Sequence, residues 1–230
     1  LVMDIKNLAQ TIKEAFAIAR SGRPGPVLID IPKDVQAEEY DFIYPEEPVK
    51  LPGKNPLDKE IGKKSLGDAA DLIANAKRPV ILAGHGILLS GASKEVIELS
   101  ERGDIPLSWT LLGSGAVPAS HDLNMGMMGM HGEFAANNAI QKADLLIACG
   151  MRFDDRVTGN TKTYSLDSKK IHIEIDPSEI NKNVPVDVAL IGDLKLVLKK
   201  LQRIVRIKIM HQESMKQKLK NLGICYKLRN

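Results

Sequence analysis

Apolar and polar positions divide the chain into two differently patterned stretches. Ile5, Leu8, Ala9, Ile12, Ala15, Phe16 and Ala19 fall at helical spacing, and Ser21-Gly22-Arg23-Pro24 ends that helix. The short apolar run Pro26–Pro32 then reads as a strand bracketed by prolines. Residues 36–60 are rich in Glu, Pro and Gly without a sustained period, which predicts a linker longer than an ordinary internal loop. A lone strand cannot pair its backbone, so the pattern assigns it to a sheet whose other strands lie elsewhere.

Beyond the linker the pattern alternates regularly. Predicted helices cover Ser65–Ala76, Ser93–Arg102, Glu133–Lys142 and Leu194–Val205, and predicted strands cover Pro79–Ala83, Ile105–Thr110, Asp144–Cys149, Lys170–Ile175 and Val188–Ile191. Met125, Met127, Met128 and Met130 alternate with Gly126 and Gly129, a poor helix or strand, and read as a pliable apolar loop or as core filler. Near-continuous Val/Ile/Leu strands alternating with helices predict an α/β fold: a doubly wound parallel sheet of about six strands, covered on both faces. The expected organisation is a remnant of another domain at 1–36, a linker at 37–60, a complete central domain at 61–205 and a basic tail at 206–230.

Composition adds limits. The 43% hydrophobic and 27% charged fractions are those of a globular protein, and no apolar run spans a bilayer. Nothing at the start resembles a signal peptide, and Leu at position 1 suggests a fragment or processed product. The net charge of +3 hides an asymmetry. Residues 195–230 hold eleven Lys or Arg against Glu213 alone, a net +10, leaving −7 on the rest. With four Phe, four Tyr and one Trp there is little aromatic interleaving for nucleic acid, and a solvated basic helix is favoured. Cys149 sits in an apolar run as a buried thiol, and Cys225 makes no metal or disulfide spacing with it, which fits a reducing cytoplasm. The five histidines show no metal-ligand spacing.

In a doubly wound sheet, ligands bind outside the carboxyl ends of the strands. That edge here carries Gly84 and Gly86, Gly113 and Gly115, Gly150 with Arg152, Asp176, and Gly192 with Asp193. Glycines admit close backbone approach to a phosphate, arginine binds it in a bidentate manner, and carboxylates accept from ribose hydroxyls. The set points to a dinucleotide, although glycine after a strand is also common turn chemistry and no G-x-G-x-x-G is present. Asp176-Pro177 alone reads as a turn or helix cap. Asp154-Asp155, flanked by Arg152 and Arg156, reads as ion pairing that shapes a loop rather than a general-acid pair.

Several motifs carry a more specific resemblance. Ser21-Gly22-Arg23-Pro24-Gly25-Pro26 through Val35-Gln36 resembles the segment closing the pyrimidine-binding domain of thiamine-diphosphate enzymes, in the acetolactate synthase (acetohydroxyacid synthase) form. Gly126-Met127-Met128-Gly129-Met130-His131-Gly132, the block Gly150–Gly159, Ile173-Glu174-Ile175-Asp176-Pro177 and Ile191-Gly192-Asp193 resemble that family's central domain, in the same order. The resemblance covers roughly residues 5–205, and the block Arg152-Phe153-Asp154-Asp155-Arg156 is its most specific part.

The resemblance implies a domain holding an extended FAD that is not consumed in the main reaction. It implies flavin contacts at Arg23, Gly84, Gly86, Thr110, Leu111, Met130, His131, Gly132, Gly150, Met151, Arg152, Asp155, Arg156, Val157, Glu174, Ile175, Asp176, Pro177, Gly192 and Asp193. Lys33, Met130, His131, Asp155 and Arg156 would also lie near the substrate channel. Gly84-His85-Gly86 stands where the family usually has three glycines. The activating glutamate would lie upstream, and no Gly-Asp-Gly for thiamine diphosphate and Mg2+ occurs in the chain. No catalytic or metal-ligating residue is therefore expected here, and the isolated chain is expected to be inactive. The implied whole condenses two pyruvates, or pyruvate and 2-ketobutyrate, with loss of CO2. It would be a cytoplasmic homodimer or tetramer that acts on 2-ketoacids, with a possible regulatory small subunit and no nucleic-acid or membrane partner. Alternatives are another FAD-containing carboligase of the same family, or a stand-alone nucleotide-binding module.

Overall fold

The computed structural model describes residues 1–50 and 61–205. The chain divides into two compact units, Leu1–Lys59 and Glu60–Asn230. In the first, a 3-10 turn at Ile5–Asn7 is capped by the Asp4 carboxylate, which accepts from the Lys6 N–H, and leads into α1 (Leu8–Arg20). A short α2 (Lys33–Ala37), unforeseen in the pattern, buries Val35. The expected strand at Pro26–Pro32 does not form. Among the described residues it has no sheet neighbour, Leu28 is 93% exposed, and one backbone bond, Val2 N–H to Asp30 O at 2.8 Å, crosses to it. An apolar run becomes a strand only where a ladder is offered to it. Residues 38–50 carry no helix or strand. The rest of the expected linker and the expected basic tail, with His211 and Cys225, lie outside the described residues.

The second unit is built on a six-stranded, all-parallel sheet of order β3-β2-β1-β4-β5-β6, with β1 (Pro79–Ala83), β2 (Leu107–Trp109), β3 (Asn124–Met127), β4 (Leu145–Cys149), β5 (Lys169–Glu174) and β6 (Val188–Ile191). Alternate strand residues point to opposite faces. On one face Ile81, Ala83, Ile147, Cys149, Ile171 and Ile173 pack under α3 (Lys63–Asn75), the short α4 (Gly86–Leu89) through Ile87, α5 (Ser93–Gly103) and α8 (residues 194–205). On the other, Val80, Leu82, Leu146 and Ala148 pack against Ile140 of α6 (Phe134–Lys142) and against Met151, Phe153, Tyr164 and Val184 from connecting segments. Each fully buried Ile or Leu stabilises by roughly 1.5–3 kcal/mol, so double-sided burial explains why these strands read as unbroken apolar runs. Among the described residues no helix is long and apolar enough to cross a membrane.

The methionine-glycine run is a correction. Asn124–Met127 is an edge strand rather than a loop, pairing Leu107 with Asn124 and Trp109 with Met127. Three steps along β3 oppose two along β2, which is a bulge, and Gly126 at φ +90° supplies the backbone turn while its carbonyl accepts from Ser108 Oγ at 2.7 Å. Glycine defeats a propensity argument there, yet the bulge requires it.

Gly67 of α3 is the opposite case. A Cβ added there meets no atom within 4 Å. Gly67→Ala is therefore expected to stabilise the protein by roughly 0.5–1 kcal/mol through lost unfolded-chain entropy. A chemical denaturation midpoint that falls instead would show that this helix face is covered.

Candidate functional site

Strand order reverses between β1 and β4, which leaves a crevice at their carboxyl ends. The turns meeting there are glycines packed backbone to backbone. Gly84 N–H donates to Cys149 O and Gly86 N–H donates to Gly150 O, both at 2.9 Å. A Cβ on Gly84 would stand 2.2 Å from Gly150 O, and one on Gly86 would stand 2.7 Å from Gly150 Cα. These two amides hold the β4 loop, so the glycines serve close approach rather than direct donation to a phosphate. His85 between them is right-handed helical (φ −61°) and exposed, and its Nδ1 donates to Leu112 O at 2.8 Å. Nothing at that middle position demands glycine. Thr110 continues the edge: its N–H donates to Ala83 O, and its Oγ1 accepts from the Gly113 N–H at 3.1 Å.

On the β3 side, the loop Gly129–Gly132 meets α7 (Asp155–Thr158). Met130 N–H donates to Arg156 O at 2.8 Å, and Arg156 Nη1 approaches Met130 Sδ at 3.8 Å. Asn137 of α6 holds both backbone groups of Gly129 at 2.9 Å. Asp154 accepts from Val157 N–H as the cap of α7 and lies 3.6 Å from Arg152, while Asp155 lies 3.9 Å from Arg156. The first pair is half-exposed and the second exposed, so each contributes at most about 1 kcal/mol and shapes the loop more than it stabilises the fold. Leu111, Met130 and His131 are exposed, Val157 is half-buried, and the guanidinium groups of Arg152 and Arg156 reach solvent.

On the β5–β6 side, Glu174 turns inward. Its Oε1 accepts from the Ile175 and Asp176 N–H groups at 3.0 and 3.3 Å. Asp176 caps the 3-10 turn Pro177–Glu179 by accepting from the Ser178 N–H and Oγ, and Asp193 caps α8 by accepting from Leu196 N–H. Gly192 N–H donates to Glu174 O at 3.0 Å and so joins the two turns. Asp176 thus performs the capping that the sequence allowed, and Asp193 caps a helix without having been read as a cap. Arg23 lies in the first unit, exposed in the segment after α1.

Two residues of this edge escaped sequence reasoning. Asn137 looked like an ordinary helical polar residue. His172 was judged only for metal spacing, yet it is fully buried on β5 between Lys170 and Glu174 on the same face. The alternation Lys170, His172, Glu174 within a strand buried on both faces was the available signal. Burial pushes the His172 imidazole below its ordinary value and pushes the Cys149 thiol up to about 12, which leaves Cys149 inert. Among the described residues no group of His, Cys, Asp and Glu could hold a metal ion. A cleft of about 530 Å3 beside Ile97, Trp109 and Val117 includes Gly115 of the strand-end set but none of the other candidate residues.

Residues 66–201 match the family described as thiamine pyrophosphate enzyme, central domain. The chain is 49% identical over 197 residues to the "probable acetolactate synthase large subunit" of Methanococcus aeolicus, covering 84% of this chain and 33% of that protein. It is 49% identical to the protein of the same name from Methanocaldococcus jannaschii, covering 85% and 33%. It is 45% identical to the acetolactate synthase large subunit of Corynebacterium glutamicum, covering 87% and 32%. The chain thus spans about a third of the length of the curated relatives it matches.

Proposed function

Because the chain belongs to the thiamine pyrophosphate enzyme family, as its central domain, we propose that it is the FAD-binding portion of an acetolactate synthase catalytic subunit. The observation that carries the flavin reading is the composition of the strand-end edge. Exposed apolar Leu111 and Met130 stand on one side of the β1–β4 crevice, the Arg152 guanidinium follows β4, and the capped carboxylates Asp176 and Asp193 lie on the other side. A flat ring, a diphosphate and a ribose need those three kinds of group, in that order along an extended molecule. The residues fit the cofactor. We assign Leu111, Met130 and His131 to the ring end, Arg152 to the diphosphate and the Asp176 and Asp193 turns to the ribose and adenine end, with Arg156 as a further contact.

The reaction we propose for the whole protein joins pyruvate, after loss of CO2, to a second 2-ketoacid, giving acetolactate or acetohydroxybutyrate. Thiamine diphosphate with Mg2+ supplies that carbon–carbon chemistry when bound, and we place its site outside this chain, since no Gly-Asp-Gly occurs in it. The residues here bind and orient the flavin and form part of the channel wall through Met130, Asp155 and Arg156. A cytoplasmic homodimer or tetramer, with a regulatory small subunit, completes the proposal; its relatives bear the name large subunit.

Flavin absorbance of the purified full-length protein tests the reading, together with FAD titration of the stripped protein. Removing a charge-assisted contact costs about 1.5–3 kcal/mol, so Arg152→Ala should weaken FAD binding by roughly 10–100-fold and Arg152→Lys by less. A wild-type protein that neither carries nor takes up flavin would refute the assignment.

A further inference from the structure

Along the carboxyl edge, the β4 loop and the β5 turn present different parts of the candidate site, and one buried side-chain pair lies behind both. His172 Nε2 is 2.8 Å from Met151 O, and a carbonyl can only accept, so the proton is on Nε2. On the same strand, Glu174 Oε2 lies 3.9 Å from that nitrogen, while its Oε1 holds the Ile175 and Asp176 N–H groups. The ring is also clamped edge-on by Phe153 of the β4 loop, with centroids 5.1 Å apart. We infer that His172 and Glu174 form a positioning brace, buried in the fold, that keys the β4 loop carrying Arg152 to the β5 turn carrying Asp176. The link to cofactor binding rests on the flavin reading of this edge; the brace itself does not.

The geometry separates this role from simple packing. An apolar side chain could fill the space beside Phe153, but it could not satisfy Met151 O or face Glu174. The remaining ring nitrogen, Nδ1, is buried without a hydrogen-bond partner, so a proton added there has no acceptor. Glu174 lies 3.9 Å from the ring nitrogen, and Glu179, in the 3-10 turn, is the carboxylate whose charge acts on the ring. Lys170 on the same strand face spends its Nζ on Ser165 O and Ser168 O. Burial outweighs both the Met151 hydrogen bond and the Glu179 charge, which favour the protonated ring, and lowers the ring's affinity for a proton. The sign follows. The folded brace binds fewer protons than the opened one, so its stability is complete above the ordinary imidazole value of about 6.5 and falls as pH drops below it.

The test is amide hydrogen exchange on the full-length protein without added flavin, corrected for intrinsic pH dependence, with FAD affinity measured in parallel. His172→Leu should speed exchange about tenfold or more in both segments, 151–154 and 175–178, and leave the β4 interior unchanged. His172→Gln restores a donor for Met151 O and has no titrating group. It should keep exchange near wild type at neutral pH and lose the joint opening that the wild type shows below about pH 6.5. Opening confined to one segment in the Leu variant, or pH-dependent opening that survives in the Gln variant, overturns the brace. If the Leu variant does not fold, the Gln variant alone decides on the same two readouts. A wild-type protein that binds no FAD but shows the paired opening keeps the brace and removes the flavin reading. FAD affinity that falls with pH in step with the opening supports both.

Discussion

Gly84→Ala is expected to lower stability by about 3 kcal/mol or more, or to prevent folding of the second unit, although it adds a single methyl group. The added Cβ would stand 2.2 Å from Gly150 O, 2.4 Å from Met151 Cβ and 2.7 Å from Gly150 C. Two of these three atoms belong to the backbone, so no side-chain rotation relieves the clash. Separating the turns would break the bonds from Gly84 to Cys149 O and from Gly86 to Gly150 O, which continue the β1–β4 ladder past its last pair. Gly84 is not among the glycines with positive φ, so sterics alone carries the effect. His85→Ala supplies the control. That residue is exposed and right-handed helical and makes one hydrogen bond to Leu112 O, so its loss should cost about 1 kcal/mol or less. Urea denaturation of the two variants separates them. Equal midpoints would mean that the turns yield and that the crevice is not fixed by glycine packing.

The same contact shows where sequence reasoning reaches and where it stops. Glycine at the ends of apolar strands marks the carboxyl edge, because the turns that leave a parallel sheet must pass close together. Pro79–Ala83 was legible to the residue because punctuation and burial on both faces coincide in it, and Val188–Ile191, a half-buried edge strand, because Gly192-Asp193 ends its apolar run. Which partner each glycine amide takes was not legible. The sequence offered Gly84 and Gly86 to a phosphate, and the fold gives their N–H groups to Cys149 and Gly150. The two misread segments fail for a related reason. Pro26–Pro32 has strand composition and no ladder among the described residues, while Asn124–Met127 has poor composition and a ladder from β2. Pairing is a property of neighbours distant in sequence, and it outweighs propensity in both directions. Asn137 and His172 were invisible as site residues because each acts on the backbone of another segment.

Asn137 gives the second large effect. Its side-chain oxygen accepts from Gly129 N–H and its amide donates to Gly129 O, each at 2.9 Å. A backbone N–H only donates and a carbonyl only accepts, so the orientation of this amide is fixed by its partners. Gly129 is buried, and a Cβ on it would stand 2.5 Å from Arg156 O; its N–H donates to Asn137, while its carbonyl also accepts from Gly132 N–H at 2.9 Å. Asn137→Ala leaves the buried Gly129 N–H without this partner and takes one of two donors from the carbonyl, and should therefore destabilise by about 1–3 kcal/mol. Asn137→Asp is the sharper test. It keeps the acceptor for Gly129 N–H but sets a carboxylate oxygen against Gly129 O, so it should recover little of the loss at neutral pH and more of it on acidification, when the carboxyl can donate. Because Met130 and His131 follow directly in the loop that Asn137 holds, both variants should also weaken FAD binding if this loop faces the flavin ring. Full stability in Asn137→Asp at neutral pH would show that Gly132 N–H alone satisfies the Gly129 carbonyl and that the Asn137 amide does not hold the loop.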